Sequence, residues 1–283
     1  MLEGRVGRLS WRASQPFGAE VEGDLSQPLT PEEAACLRKV FYDHELIIAR
    51  GQTLTLEQQQ TLAGHIGPVL AGGRGMEYVS PDDGVLNEAA LTFHSDLAFA
   101  PEPFQALSLH AVDVAENRTS TRFANAHRAY ERMRDGLKGR IAGMKAISMS
   151  VDLGPVRATP HEVPANSIHQ TWNVVRTHPV TGRKFLYVSE SHTVQIVGLS
   201  HEASEDLLHT LFEELYADDN RIEHVWRNGD FLLWDNLAIQ HGRPDLTGVR
   251  PRRLQRAAVA EHSLVEQLPD FFDRAAAGAP MGA

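Results

Sequence analysis

His94-Ser-Asp96 sets an imidazole and a carboxylate two positions apart, a spacing that on an extended strand turns both side chains to one face. Two such groups can converge on one ion. A further histidine, His241, follows Leu232-Leu-Trp-Asp-Asn236, an apolar run of the kind that forms a sheet strand. Two imidazoles and one carboxylate on one side of an ion leave three positions open, the facial arrangement expected of non-heme Fe(II) oxygenases. The same groups could hold zinc and an activated water, as in a hydrolase. With 14 His and 37 acidic residues in the chain, about two His-x-Asp/Glu triplets arise by chance, so the triplet is a weak signal that its context must carry.

The rest of the composition narrows that context. A single cysteine, Cys36, excludes an intrachain disulfide and thiolate-rich zinc or iron–sulfur sites, so any metal rests on His and carboxylates. The formal net charge of −10 opposes a nucleic-acid or anionic-membrane partner. The richest basic run, Arg250-Pro-Arg-Arg-Leu-Gln-Arg256, is short and interrupted, and reads as strand and site. The N-terminus has no apolar core of signal-peptide length and no stretch approaches a membrane span, so a cytoplasmic location is the expectation. A hydrophobic share of 42% is enough for a substantial core.

The elements that must position these residues are partly legible. Thr30-Pro-Glu-Glu33 is a capping box with proline at the first helical position, and predicts a helix to about His44. Glu45 to Arg50 reads as a buried strand, and Thr55 to Gln58 opens a second capped helix carrying Leu62, Ala63 and Ile66. Gly72-Gly-Arg-Gly75 and Pro81-Asp-Asp-Gly84 read as mobile loops of the kind that cover active sites. Strands are predicted at Phe104 to Val114 and Lys145 to Val151, with Asn125 capping a short helix between them. Asn173 to Thr177 and Phe185 to Val188 flank a hairpin loop at His178-Pro-Val-Thr-Gly182, and Ser200 caps a helix with Leu207, Leu208, Leu211, Phe212 and Leu215 on one face. Strands return at Phe231 to Trp234 and Leu254 to Val259. Many short strands with few helices and no regular alternation favour a double-sheet jelly roll over a doubly wound sheet. No internal repeat is present, and one domain over residues 1–283 is expected, with a core at about 15–262 and a flexible tail at about 275–283.

Taken together, several segments resemble the taurine and 2,4-dichlorophenoxyacetate dioxygenase family, in its order and at about its spacing. They are Leu29 to Glu33, Glu45 to Gln52, Phe93-His-Ser-Asp96, Thr177-His-Pro-Val-Thr-Gly-Arg183, Gly229 to Leu233, and Trp234-Asp-Asn236 followed by Gln240-His241. Two departures stand out: Phe93 replaces the family's usual Trp, and Arg118-Thr-Ser-Thr121 replaces a Gly-Gly-Asp-Thr-like turn.

The resemblance implies a mainly β fold with flanking helices, a double-stranded β-helix with a cupin-like core. It implies His94, Asp96 and His241 as ligands of Fe(II), with 2-oxoglutarate and O2 as cosubstrates and oxidation of a C–H bond in a small molecule as the outcome. It matches Thr121, with Thr119 as the alternative, to a threonine that hydrogen-bonds 2-oxoglutarate, and Arg252 to the arginine that pairs with its distal carboxylate through a two-pronged fork. Arg256 matches an arginine that binds the anionic head of a substrate, so an anionic substrate is expected. His192 matches a substrate-facing aromatic position, and Tyr78 lies in the candidate lid. Arg252 and Arg256 would share one face of a strand, with Arg253 opposite. Trp234 and Asp235 would shape the strand end and orient His241, and His178 would serve the turn. Asp96 argues against halogenation, which in related enzymes needs a small residue there. A protein that binds 2-oxoglutarate without catalysis, and a zinc hydrolase on the same triad, remain alternatives. The oligomeric state stays open, and a homo-oligomer is compatible with everything above.

Overall fold

The computed structural model describes residues 2–70, 78–79 and 88–271. The two candidate mobile loops and the tail lie outside these residues. Its first strands are β1 (Glu3–Val6), β2 (Leu9–Ala13), β3 (Ala19–Glu22), β4 (Leu46–Ala49), β5 (Tyr78–Val79), β6 (Leu91–His94), β7 (Ala106–Val114) and β8 (Ser120–Asn125). They continue as β9 (Lys145–Met149), β10 (His169–Asn173), β11 (Val175–Thr177), β12 (Lys184–Leu186), β13 (Thr193–Ile196), β14 (Arg221–Val225), β15 (Phe231–Asp235), β16 (Ile239–Arg243) and β17 (Arg252–Val259). The helices are α1 (Pro31–His44), α2 (Leu56–Gly64), α3 (Ala126–Arg132), α4 (Asp135–Ile141), α5 (His201–Leu215) and α6 (Leu264–Gln267).

Local chemistry starts α1, α2, α3 and α5 where the sequence predicts, while α4 and α6 are absent from the sequence reading. Thr30 and Glu33 satisfy each other's backbone N–H groups at α1, as Thr55 and Gln58 do at α2, while Ser200 caps α5 and Asn125 caps α3. Glu45 does not open β4. It is the left-handed C-cap of α1, with φ 67° and its N–H on the Phe41 carbonyl.

An eight-stranded sheet runs in the order β1, β2, β3, β4, β15, β7, β17, β5, and a four-stranded sheet in the order β14, β8, β16, β6. Leu107, Leu109, Leu232, Trp234 and Leu254 from the first meet Phe123 and Ile239 from the second in one buried cluster, so the two sheets close on each other as a jelly roll. The opposite face of the large sheet is covered by α1 and α2, where Leu37, Val40, Phe41, Leu62 and Ala63 pack on Ile47, Ala49, Phe231, Leu233 and Val259. β15 is therefore buried on both sides. That is why Phe231 to Trp234 is an unbroken apolar run and not an alternating one, each side chain contributing about 1.5–3 kcal/mol of burial.

Strands β1 to β3, which extend the large sheet, are absent from the sequence reading. Each is only four or five residues long and interleaves Arg, Glu and Ser with single buried residues such as Leu9, Ala19 and Val21. Too few periods exist to stand out, and the parallel pairing of β3 with β4 supplies what local pattern lacks. Among the described residues no helix is long and apolar enough to cross a membrane.

Candidate active site

His94 ends β6, and His241 lies in β16 directly opposite it, while the other edge of β16 pairs with β8. The two imidazole centroids are 4.3 Å apart. Asp96 does not continue the strand, as the spacing suggested. It lies in a turn beyond β6, and its carboxylate is brought back to the imidazoles by that turn and not by the strand pleat. Its Oδ1 stands 3.3 Å from His94 Nε2 and 3.5 Å from His241 Nε2.

The approach of β16 to β6 depends on Gly242. A Cβ there would lie 2.7 Å from the Leu91 carbonyl oxygen and 3.2 Å from that of Thr92, both fixed in the backbone. Gly242→Ala is accordingly expected to separate β16 from β6, with about 1–3 kcal/mol lost in urea unfolding and weaker metal retention. Unchanged unfolding and metal content would show that the two strands adjust freely.

The three side chains suit a cation. His94 Nδ1 lies 2.9 Å from the Thr92 carbonyl, which can only accept, so the ring proton sits on Nδ1 and the Nε2 lone pair faces Asp96. Burial pushes His241 down to about 3, reinforced by His94, so its imidazole is neutral. Burial works to raise the Asp96 carboxyl, but the Arg256 guanidinium beside it outweighs that and holds the group well below the usual carboxylate range. Two imidazole lone pairs and a carboxylate oxygen thus converge, all within 4.8 Å of one another, and among the described residues no other group of three metal-ligating side chains does so.

β17 contributes the basic side. Leu254 of this strand points into the cluster between the sheets, and by alternation Arg252 and Arg256 share that inner face. Arg252 is buried. Arg256 lies over the Phe104 ring at 5.6 Å and forms an ion pair with Asp96 Oδ2, the two side chains being only 14% and 12% exposed. The carboxylate is therefore divided, with Oδ1 toward the histidines and Oδ2 toward the guanidinium.

Thr121 is the second residue of β8 and not a turn residue; the turn closes earlier, at the Arg118 N–H to Ala115 carbonyl bond. Its Oγ1 accepts the Trp226 indole N–H at 3.0 Å, which leaves the hydroxyl proton to be donated elsewhere. Thr119, the alternative, is buried with no hydrogen-bond partner for its hydroxyl among the described residues. His192 is fully buried, its ring 6.0 Å from that of His94. Its Nδ1 lies 3.1 Å from the Met149 carbonyl, its Nε2 has no partner among the described residues, and burial with the nearby His94 lowers it to about 4.

Tyr78 is not brought to this place. It pairs with Gln255 and stacks under Arg253 at 4.4 Å, on the face of β17 opposite to Arg252 and Arg256.

The Trp234-Asp-Asn236 run divides its tasks. Trp234 packs edge-on against His241 at 5.1 Å, while His241 Nδ1 has no hydrogen-bond partner among the described residues. Asp235 does not touch His241; it binds His178 Nε2 at 2.9 Å and caps the Leu237 and Ala238 N–H groups. His178 is buried, and its Nδ1 accepts the N–H groups of Val180 and Thr181 in the hairpin that Gly182 closes at φ 71°. Arg183 reaches Glu45, which also binds His127 and Asn125. The sequence reading missed this last group, and the alternation of polar and apolar residues carried no sign of it.

A jelly roll with two histidines and one aspartate converging between its sheets defines a metal-dependent class. The family model described as taurine catabolism dioxygenase TauD, TfdA family, matches residues 10–258, and the chain belongs to that family. It is a non-heme Fe(II)/2-oxoglutarate-dependent dioxygenase. An alpha-ketoglutarate-dependent sulfate ester dioxygenase of Pseudomonas putida is 28% identical over 262 residues, 86% of this chain and 86% of that protein. An alpha-ketoglutarate-dependent 2,4-dichlorophenoxyacetate dioxygenase of Cupriavidus pinatubonensis is 28% identical over 281 residues, 88% of this chain and 96% of the relative. The crystal structure of a taurine dioxygenase from Burkholderia xenovorans superposes with a TM-score of 0.76 at 27% identity, covering 89% of this chain and 91% of that one.

Proposed function

We propose that His94 Nε2, Asp96 Oδ1 and His241 Nε2 hold the iron, that Arg252 and Thr121 hold the distal carboxylate of 2-oxoglutarate, and that Arg256 and His192 face a small anionic substrate. The chain would act as one catalytic domain. The observation that carries this reading is the convergence of three lone-pair donors beneath a strand whose inner face bears two guanidinium groups. Bound there, iron and 2-oxoglutarate supply an O2-dependent oxidation that yields succinate and CO2 and is spent on a substrate C–H bond.

The protein's own part is positioning and exclusion. Arg256 occupies Asp96 Oδ2 and so leaves Oδ1 as the single oxygen turned to the ion. Trp226 leaves the Thr121 hydroxyl as a donor, which suits a carboxylate and not a cation. Phe99, Phe104, Phe123 and Trp234 are buried around these groups and keep water from competing for them. Anaerobic addition of Fe(II) and 2-oxoglutarate tests the reading: a weak visible charge-transfer band is expected, perturbed by substrates that stimulate succinate formation. Its absence with iron bound would defeat the assignment.

The anionic class of substrate is supported by charge. Arg252 and Arg256 bring two positive groups to one inner face, where Asp96 is the carboxylate paired with Arg256 among the described residues. The sulfate ester and 2,4-dichlorophenoxyacetate named for two relatives each carry an anionic group. A guanidinium has five N–H donors, so Arg256 can bind Asp96 and still meet an anion. Carboxylates, sulfonates or sulfates are expected to stimulate 2-oxoglutarate turnover where their neutral amides or alcohols do not, and Arg256→Gln to raise the substrate KM by about tenfold or more. Neutral analogues that couple as well as the acids would remove the anion reading and leave the iron chemistry standing.

A further inference from the structure

The two histidines of the triad lie on strands whose ladders fix their backbones, but Asp96 has no such support. Past the end of β6 its peptide groups have no neighbouring strand among the described residues, and Leu97, next in the chain, adopts φ 59°, a conformation that a branched residue takes only where its surroundings impose it. The place of a partner strand is taken by one side chain. Asn236, fully buried in the connection between β15 and β16, accepts the Asp96 N–H on Oδ1 at 2.9 Å and returns its Nδ2–H to the Asp96 carbonyl at 3.0 Å. The same Nδ2 donates to the Phe104 carbonyl at 2.9 Å, and the Asn236 backbone N–H donates to the Gln105 carbonyl at 3.0 Å.

We infer that Asn236 is a positioning residue for the Asp96 carboxylate, holding the main chain of that residue while Arg256 holds its free oxygen. The inference rests on reading Asp96 as a metal ligand. A carboxamide suits the task because it offers an acceptor and two donors on one planar group, the same pattern that a strand edge presents. Aspartate at this position would keep the acceptor but turn a second oxygen against the Asp96 and Phe104 carbonyls. Leucine would fill the volume and make none of the bonds.

The position also couples the ligands. Asn236 sits three residues before Ile239 opens β16, the strand that carries His241. One short connection therefore carries the clamp on Asp96 and leads into the strand of His241, so the spacing between carboxylate and imidazole is set over five residues of chain.

The test is a titration of the metal-free protein with Co(II) alone, followed by its visible absorption, in wild type, Asn236→Ala, Asn236→Asp, Asp96→Ala and the double variant Asp96→Ala/Asn236→Ala. Leu211→Ala, buried in α5, a helix that supplies none of the site residues, serves as a destabilised control. Loss of an outer contact to a ligand is expected to weaken Co(II) binding by about 10–100-fold in Asn236→Ala, while Leu211→Ala lowers Tm and leaves Co(II) affinity at the wild-type value. In the Asp96→Ala background the Asn236 substitution is expected to have no further effect on affinity, since the carboxylate it positions is gone. Wild-type Co(II) affinity in Asn236→Ala, or an undiminished effect in the Asp96→Ala background, overturns the inference. Should Asn236→Ala fail to fold, Asn236→Asp, which keeps the acceptor for the Asp96 N–H and loses both donated bonds, gives the same reading, and wild-type affinity there overturns it equally. Asp96→Ala separates the two levels: wild-type Co(II) binding in that variant removes the ligand assignment itself, whereas lost binding there with full binding in Asn236→Ala removes only the role of the amide.

Discussion

Asp96→Ala is expected to abolish 2-oxoglutarate-dependent succinate formation, with His94→Ala and His241→Ala doing the same. In each case two donors remain of three, and the geometry that leaves open positions on one side of the ion is lost. Asp96→Ala should retain metal least well. It removes the only anionic donor of the triad and also breaks the ion pair of Asp96 with Arg256. Breaking a buried ion pair from one side costs on the order of 3 kcal/mol, so a lowered unfolding midpoint is expected beside the lost activity. Succinate by chromatography and bound metal after desalting are the measurements. Full activity of Asp96→Ala without added carboxylate or halide would contradict the proposed ligand set.

Arg252→Lys is expected to raise the KM for 2-oxoglutarate by about 10–100-fold while leaving that of the primary substrate much less changed. Lysine keeps the charge but gives up the second prong of the fork, and one charge-assisted hydrogen bond is worth about 1.5–3 kcal/mol. Thr121→Val should act in the same direction and more weakly, because it removes the donated hydroxyl proton and also leaves the Trp226 N–H without its acceptor. Initial-rate kinetics at varied 2-oxoglutarate decide the matter. An unchanged constant in Arg252→Ala would transfer the role to Arg256 or to another base.

What could be read from the sequence was what local chemistry encodes. The capping boxes at Thr30 and Thr55 and the cap at Ser200 placed three helices, because those signals are complete within four residues. The apolar run of β15 announced a sheet strand. Even-numbered spacing put Arg252 and Arg256 on one face of β17, and no long-range information was needed for that. Residue types and the family resemblance together singled out His94, Asp96 and His241, but the strand geometry assumed for Asp96 was replaced by a turn, since two residues of spacing are equally compatible with both.

The rest depends on partners far off in the chain. The hold of Asn236 on Asp96 spans 140 positions, and the ion pair of Arg256 with Asp96 spans 160. Neither leaves a periodic trace. The family resemblance offered Arg256 to a substrate and could not show that a carboxylate of the protein already meets it. Tyr78 illustrates the converse: proximity to the candidate lid said nothing about which face of β17 its ring would cover.

The buried group around Glu45 bears on how the chain assembles. The carboxylate takes its partners from Asn125, His127 and Arg183, which lie 80, 82 and 138 positions away. Each segment arrives by closing a long loop, and such closures slow folding because their entropy is lost before any contact forms. An intermediate that has gathered some of these segments and not others encloses a carboxylate short of its donors, which is unfavourable in proportion to its burial. States that hold only part of this group are thereby penalised relative to both ends of the reaction.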